Sequence, residues 1–236
     1  MLKVYEATNV GKVRDINEDS LACLPREVFC VADGMGGHAA GEVASRTLVN
    51  NAHGFLFVRD EIDEQDLAAA IACANEKILA MAEENQKYRG MGTTATVLHL
   101  TADRGFWAHV GDSRLYLWRN NSLGQITRDH SYVEELLASG SITREEAQHH
   151  PRRNLLTRAV GVMKEVEIDR GNFPLERGDV FLLCTDGLTN MVDDGEISAI
   201  LADANAPDPA AKLVERALEG GGLDNVSAIV VKCDGA

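Results

Sequence analysis

Short runs of β-branched and aromatic residues, each bounded by polar turns, alternate along the chain with longer segments of helical spacing. Short apolar runs of this kind are typical of buried β-strands. The predicted strands cover residues 21–24, 28–32, 94–100, 106–110, 115–118, 180–184 and 226–231.

Two segments in the first half of the chain place apolar residues three or four positions apart. This spacing predicts amphipathic helices at about residues 39–56 and 66–84. Asp63 lies three residues before Asp66, in a pattern typical of the start of the second helix. Shorter helices are predicted at residues 132–139, 197–201 and 210–218.

The predicted strands therefore occur in blocks, with helices in pairs between them. This order favours an antiparallel α+β layer fold over a doubly wound parallel sheet. The 236 residues contain no internal repeat, low-complexity tract or Pro/Ser-rich linker, so we expect a single domain over residues 1–236.

Composition and charge exclude several classes of function. Hydrophobic residues make up 45% and charged residues 25% of the chain, as in a folded globular protein. The 37 acidic residues against 23 Lys and Arg give a net charge of −14, which disfavours nucleic acid and anionic lipid as partners. Because no apolar run reaches the ~20 residues of a membrane helix, we expect no membrane insertion. The five scattered cysteines lack a Cys-x-x-Cys pair and the first residues lack an apolar signal segment, so we expect a cytoplasmic protein.

Four predicted strands have an aspartate at one end. Asp33, Asp112 and Asp186 follow their strands, and Asp224 precedes its strand. One Asp-Gly after a strand is usually only a turn. Several carboxylates gathered at strand ends repel one another, however, and stay ionised together only when cations neutralise them. Because oxygen ligands suit Mg²⁺ or Mn²⁺, these residues predict a divalent-metal site.

Two residues near these carboxylates have alternative interpretations. Arg14 is suited to a bidentate grip on a phosphate, or it forms a surface salt bridge with Asp15 or Glu18. His38 closes the glycine-rich loop that begins at Asp33, where it serves as a general acid or caps and orients the turn.

Two other motifs do not lead to a function. Residues 34–39 fit the dinucleotide-binding pattern G-x-G-x-x-A, but Asp33 would face the pyrophosphate and no strand-end acid lies where the ribose would bind. Gly111-Asp112-Ser113 is similar to a serine-hydrolase nucleophile loop, but no convincing Asp and His pair follows it.

Seven motifs remain, and they are specific because they occur in a fixed order over nearly the whole chain. They are V-R-x-x-N-E-D at 13–19, A-D-G-M-G-G-H-x-x-G-E at 32–42, M-G-T-T-A at 91–95, V-G-D-S-R at 110–114, N-x-x-T-R-A-x-G at 154–161, T-D-G at 185–187 and D-N at 224–225. In these residues the chain resembles the metal-dependent Ser/Thr protein phosphatases of type 2C, and their bacterial branch most.

The resemblance implies a four-layer α-β-β-α sandwich with two central antiparallel sheets, and a flap at about residues 140–165 beside the active site. It implies Mn²⁺ or Mg²⁺ as cofactor, with two core ions and a third, looser ion. The implied roles are metal ligation by Asp33, Gly34 (through its carbonyl), Asp112, Asp186 and Asp224, orientation of metal-bound waters by Glu18 and Asp19, and phosphate binding by Arg14.

The activity implied by the resemblance is hydrolysis of phosphoserine and phosphothreonine on proteins by attack of a metal-bridging hydroxide. The expected partners are phosphorylated proteins, including a bacterial Ser/Thr kinase and its substrates, and the expected state is a monomer. The animal branch carries its proposed general acid at the position of Met35, so a metal-bound water is an alternative to His38 as proton donor. Two rival functions on the same fold are a catalytically silent binding module and a phosphatase dedicated to one phosphoserine regulator.

Overall fold

The computed structural model describes residues 2–36 and 40–233. Its strands are β1 (Leu2–Asn9), β2 (Asp19–Leu24), β3 (Val28–Met35), β4 (Gly92–Thr93), β5 (Ala95–Leu100), β6 (Arg104–Val110), β7 (Arg114–Arg119), β8 (Ser122–Gln125), β9 (Asp169–Pro174), β10 (Val180–Cys184) and β11 (Val226–Cys233). Its helices are α1 (Ala40–Phe57), α2 (Glu64–Glu84), α3 (Tyr132–Ala138), α4 (Arg144–Gln148), α5 (Asp186–Thr189), α6 (Asp194–Ala202) and α7 (Pro209–Glu219).

The strands form two antiparallel sheets. The first sheet has the order β1-β11-β10-β7-β8, and the second has the order β2-β3-β5-β6-β9, with the short strand β4 paired to β3. The predicted α+β class with antiparallel pairing is therefore confirmed.

Three hydrophobic clusters separate four layers. Between the sheets, Phe29 and Val31 of β3 share a cluster with Phe181 and Leu183 of β10. The alternate residues of β3 face the other way, because side chains along a strand point to opposite faces in turn, and they pack with α1 and α2. The alternate residues of β10 pack with α6 and α7. The helices thus cover both outer faces, which confirms the predicted α-β-β-α order.

Both long helices lie where their apolar spacing predicts them. The Asp63 side chain accepts hydrogen bonds from the backbone N–H groups of Gln65 and Asp66 at 2.9 Å each, and the Asp66 side chain accepts from the Asp63 N–H at 3.3 Å. This reciprocal capping satisfies N–H groups that have no partner within the first turn of α2.

Besides the two-residue strand β4, the strands that the sequence pattern missed share one property, which is their place at the edge of a sheet. β1 and β8 are the edges of the first sheet, and β9 is an edge of the second. Edge strands are half exposed and carry polar residues, so they lack the continuous apolar run by which a central strand is found. The short helices α4 and α5 were missed as well.

One end of the sandwich collects the ends of several central strands. Ala95 of β5 pairs with Val110 of β6, and Cys184 of β10 pairs with both Ala228 of β11 and Arg114 of β7. Because residues 111–113 connect β6 of one sheet to β7 of the other, these paired ends belong to the same end of the molecule. No helix in the described part of the chain is both long and apolar enough to cross a membrane.

Candidate active site

The acidic residues singled out by the sequence meet at this end of the sandwich. Asp19 and Asp33 are register partners on β2 and β3. Asp186 lies two residues after the end of β10, and Asp224 lies two residues before the start of its antiparallel neighbour β11. Asp112 lies in the connection between the sheets. Strands distant in sequence therefore bring five carboxyl groups together.

The electrostatics of these side chains show how closely they are gathered. Burial raises the pKa of Asp33 well above its ordinary value, and the charges of Asp19, Asp186, Asp112 and Asp224 raise it further. Burial and the charge of Asp186 likewise raise the pKa of Asp112. Burial and the charge of Asp224 raise the pKa of Asp186. The cluster therefore favours bound protons or bound cations over a set of free carboxylates.

Asp19 is the most enclosed member of the cluster, at 8% exposure. Its Oδ2 accepts hydrogen bonds from Thr185 Oγ1 at 2.8 Å and from Ser227 Oγ at 2.7 Å, while its Oδ1 is buried without a partner among the described residues. Burial, which the two hydroxyls only partly offset, raises the pKa of Asp19 to about 7. A buried carboxylate oxygen without a donor is suited to a cation or to an ordered water held by one.

Glu18 and Gly34 approach each other through their backbones at the end of β3. The Gly34 N–H donates to the Glu18 carbonyl at 3.1 Å. A Cβ atom on Gly34 would lie 2.1 Å from the Gly41 carbonyl oxygen, so only glycine fits this close approach. The N–H of Gly41, at the start of α1, donates to the Glu18 carboxylate, and burial raises the pKa of that carboxyl group. The helix N-terminus thus holds Glu18 beside the Gly34 backbone.

Asn225 fixes the loop that carries Arg14 and Glu18. Its Oδ1 accepts from the Glu18 N–H at 2.8 Å, and its Nδ2 donates to the carbonyls of Val10 and Ile16 at 2.9 Å each. One buried amide therefore satisfies three backbone groups of a loop more than 200 positions away in sequence.

Arg14 lies at the rim of the cluster. Its guanidinium donates from Nη2 to Asp224 Oδ2 at 2.8 Å, and its side chain is 52% exposed. The salt bridge expected with Asp15 or Glu18 forms with Asp224 instead. The Arg14 charge also acts on Glu18, where it lowers the pKa against the effect of burial.

The donor set fits hard divalent cations. It consists of carboxylate oxygens and the Gly34 backbone, and the mutual repulsion of the carboxylates is the kind that such ions relieve. Within the described residues, no three His, Cys, Asp or Glu side chains are already arranged as a closed ligand set. The Asp224 carboxylate, drawn to Arg14, and the Asp186 carboxylate, which accepts from Asn190 Nδ2 at 3.0 Å, have partners of their own.

The sequence family was settled by comparison with known proteins. The model of the family "Protein phosphatase 2C" matches residues 13–218, which is most of the chain. The chain belongs to the protein phosphatase 2C family. It is 39% identical over 240 residues to the protein phosphatase PhpP of Streptococcus pneumoniae serotype 2, covering 98% of this chain and 97% of PhpP. It is also 39% identical over 238 residues to the serine/threonine phosphatase stp of Listeria monocytogenes serovar 1/2a, covering 96% and 94%.

Solved structures of the phosphatase 2C family have the same fold. The Mycobacterium tuberculosis serine/threonine phosphatase PstP/Ppp superposes with a TM-score of 0.92 at 40% identity, over 99% of both chains. The catalytic domain of PstP in complex with two manganese ions superposes with a TM-score of 0.90 at 38% identity, over 98% of this chain and 97% of that one. The family resemblance read from the seven motifs is thereby confirmed.

Some residues that shape this phosphatase 2C site were not assigned a role from the sequence. Thr185 and Ser227 support Asp19, Asn190 supports Asp186, and Asn225 pins the Arg14 loop. Thr185 and Asn225 belong to the motifs T-D-G and D-N, and Ser227 lies within a predicted strand, but the sequence did not indicate which groups they contact. His38 lies outside the described residues, so its two alternative roles stay predictions.

Proposed function

We propose that this chain is a metal-dependent phosphatase that hydrolyses phosphoserine and phosphothreonine in proteins. The observation that carries the proposal is the convergence of Asp19, Asp33, Asp112, Asp186 and Asp224 at one end of the sandwich, in a chain that matches phosphatase 2C relatives over nearly its full length.

The proposed ligands of two core cations, Mn²⁺ or Mg²⁺, are Asp33, the Gly34 carbonyl, Asp186 and Asp224. When bound, the ions supply an activated water and neutralise charge on the phosphoryl group. The charge of Asp186 raises the pKa of Asp112, which supports these two residues as the pair that takes a third, looser ion. Supporting roles fall to Glu18 and Asp19, which orient water in the site.

Arg14 is proposed to bind the phosphate of the substrate. Its Nη2 is engaged with Asp224, but a guanidinium has five N–H donors, so the half-exposed side chain retains donors for a phosphate oxygen. The same contact holds the guanidinium beside a proposed metal ligand. Arg14 thus orients the phosphate towards the carboxylate cluster and reduces its negative charge.

His38 and a water in the site are the two proposed proton donors for the leaving serine or threonine oxygen. The proposed setting is a cytoplasmic monomer of one domain that acts on phosphorylated proteins, among them a Ser/Thr kinase and its substrates. The relatives named serine/threonine phosphatase support protein substrates, and the −14 net charge makes the cationic site the favourable place for a phosphate dianion.

Hydrolysis of a phosphothreonine peptide by purified protein, with Mn²⁺ and then with chelator, tests the proposal. We expect turnover with Mn²⁺, its loss on chelation, and its loss in Asp186→Asn, because that change removes a ligand shared by two ions. Asp60→Asn is the matched control, because Asp60 is exposed between α1 and α2, and this variant should keep full turnover. Circular dichroism should show all three proteins equally folded. Wild-type protein that binds the phosphopeptide without hydrolysing it would support the binding module instead.

A further inference from the structure

A second polar network lies beside the acidic cluster and is built around the buried side chain of His130. The Gly111 N–H donates to His130 Nδ1 at 3.1 Å, and the Gly111 carbonyl accepts from the His130 backbone N–H at 2.7 Å. His130 therefore holds both peptide groups of the residue that precedes Asp112. A Cβ on Gly111 would lie 2.6 Å from Thr94 Cγ2, so this backbone has little room to shift towards β5.

The opposite edge of the His130 ring points to a charged pair. Because Nδ1 accepts from Gly111, Nε2 is assigned the ring proton. This Nε2 lies 3.2 Å from Asp169 Oδ2 and 3.3 Å from Arg158 Nη1. Arg158 Nη1 donates to Asp169 Oδ1 at 2.9 Å. Burial lowers the pKa of His130, and the hydrogen bond and charge of Asp169 only partly offset this effect. The ring is therefore neutral near pH 7, as its acceptor role at Nδ1 requires.

His130 directly precedes a long connection between β8 and β9, which we name the 131–157 segment. This segment contains α3 and α4 and overlaps the predicted flap. Its two ends pair where they leave and rejoin the body: the Thr157 N–H donates to the His130 carbonyl at 2.9 Å, and the Tyr132 N–H donates to the Leu155 carbonyl at 2.8 Å. The charged partner Arg158 follows directly after the segment.

We propose that His130 is a positioning residue that couples the 131–157 segment to Asp112. The coupling runs through direct contacts from the Asp112 loop at Gly111, through the imidazole, to Asp169 and Arg158 at the end of the segment. Ion binding at Asp112 and the order of the segment then change together. The inference rests on the proposed function, in which Asp112 is a metal ligand.

Two substitutions separate the two edges of the imidazole. In His130→Asn, the amide oxygen takes the place of Nδ1 and still accepts from Gly111, but the side chain is too short to reach Asp169. In His130→Gln, the amide nitrogen takes the place of Nε2 and still donates to Asp169, but no acceptor remains for Gly111. His130→Asn therefore loses the contact with Asp169 near the segment, and His130→Gln loses the contact with Gly111 beside Asp112.

Two measurements follow the two ends of the link. Calorimetric titration with Mn²⁺ reports ion binding, and limited trypsin digestion reports the order of the 131–157 segment, whose Arg144, Arg152 and Arg153 are exposed. In wild-type protein we expect Mn²⁺ to slow cleavage. In His130→Asn the segment should be cleaved faster, and its cleavage should no longer respond to Mn²⁺. Without metal, His130→Gln should be cleaved at the same rate as the metal-free wild type. It should bind its weakest Mn²⁺ ion about tenfold less tightly, as is usual when a partner of a ligand is lost.

His99→Asn is the control for the loss of a buried imidazole. His99 is also buried in the second sheet, where its ring stacks on Phe106 near the far end of β5. We expect this variant to match the wild type in both measurements. The inference is overturned if Mn²⁺ protects the segment equally in wild type and His130→Asn, if His130→Gln binds Mn²⁺ normally, or if His99→Asn shows the same changes. Failure of the proposed function appears separately, as a wild-type protein without Mn²⁺-dependent hydrolysis.

Discussion

The buried carboxyl group of Asp19 predicts an unusual dependence of stability on pH in the metal-free protein. Its pKa lies at about 7 in the folded chain, against an ordinary value of 3.8. Below about pH 4 the group is protonated in both the folded and the unfolded chain. Between that pH and about 7 only the folded chain retains the proton, so the free energy of unfolding falls as the pH rises.

The size of the effect follows from the two pKa values. At 1.36 kcal/mol for each pH unit, the rise from 3.8 to about 7 corresponds to a loss of about 4 kcal/mol for this group alone. The raised pKa values of Asp33, Asp112 and Asp186 act in the same direction. Metal-free protein should therefore lose a large part of an ordinary domain stability between mildly acidic and neutral pH.

Asp19→Asn removes the charge and keeps the local hydrogen bonds, because an amide oxygen accepts from Thr185 and Ser227 as Oδ2 does. We expect this variant without metal to be more stable than the wild type near pH 8, by up to about 4 kcal/mol, and to vary less with pH. With Mn²⁺ it should hydrolyse a phosphopeptide about tenfold or more slowly, since a group that orients the site is lost.

Urea unfolding in chelator, followed by the fluorescence of the two tryptophans, measures this prediction at intervals between about pH 5 and pH 8. Asp60→Asn, which removes an exposed carboxylate, is the control and should follow the wild type. The reasoning is refuted if metal-free wild type is as stable at pH 8 as at pH 5, or if Asp19→Asn and wild type unfold at the same urea concentration throughout.

Two further substitutions test phosphate binding by Arg14 and the close backbone packing at Gly187. Arg14→Ala should raise KM for a phosphopeptide more than it lowers kcat, because the guanidinium is proposed to bind the phosphate in the ground state; steady-state kinetics with an unchanged KM would remove Arg14 from that role. Gly187→Ala should destabilise the protein by about 3 kcal/mol or more, because its Cβ would lie 1.9 Å from the Asn225 carbonyl oxygen. Gly54→Ala is its control, since nothing lies within 4 Å there and alanine favours the interior of α1, so thermal melting should show a small gain.

The elements that sequence patterns predicted are those whose burial is one-sided or complete. α1 and α2 carry a continuous apolar stripe, and β3 and β10 are buried along nearly their full length. β9 alternates between half-buried and exposed residues at an edge, and its sequence of Asp, Arg, Gly, Asn, Phe and Pro has no β-strand signature. Its place comes from pairing with β6, which is a tertiary interaction that a local pattern cannot contain.

The acidic part of the site was predictable for a different reason. The apolar runs before Asp33 and Asp186 predicted that both lie near the end of a buried strand, although β3 continues through Asp33 to Met35. The partner of Arg14 was not predictable, because Asp224 lies 210 positions away and meets it only through the pairing of β1 with β11. His130 was overlooked for the same reason, since its contacts with Gly111 and Asp169 join separate parts of the chain.

A cluster of carboxylates destabilises the fold that holds it, and the surrounding contacts explain why it does not simply spread apart. The backbones of Gly34 and Gly187 pack closely against neighbouring carbonyl groups. The three hydrogen bonds of Asn225 hold the loop that carries Arg14 and Glu18. A flexible end of the sandwich would relieve the repulsion by letting the charges separate, and it would then attract cations weakly. Because these contacts prevent that movement, the free energy stored in the repulsion is released only when protons or cations bind. The rigidity of the strand ends is therefore the physical basis of the proposed affinity for divalent ions.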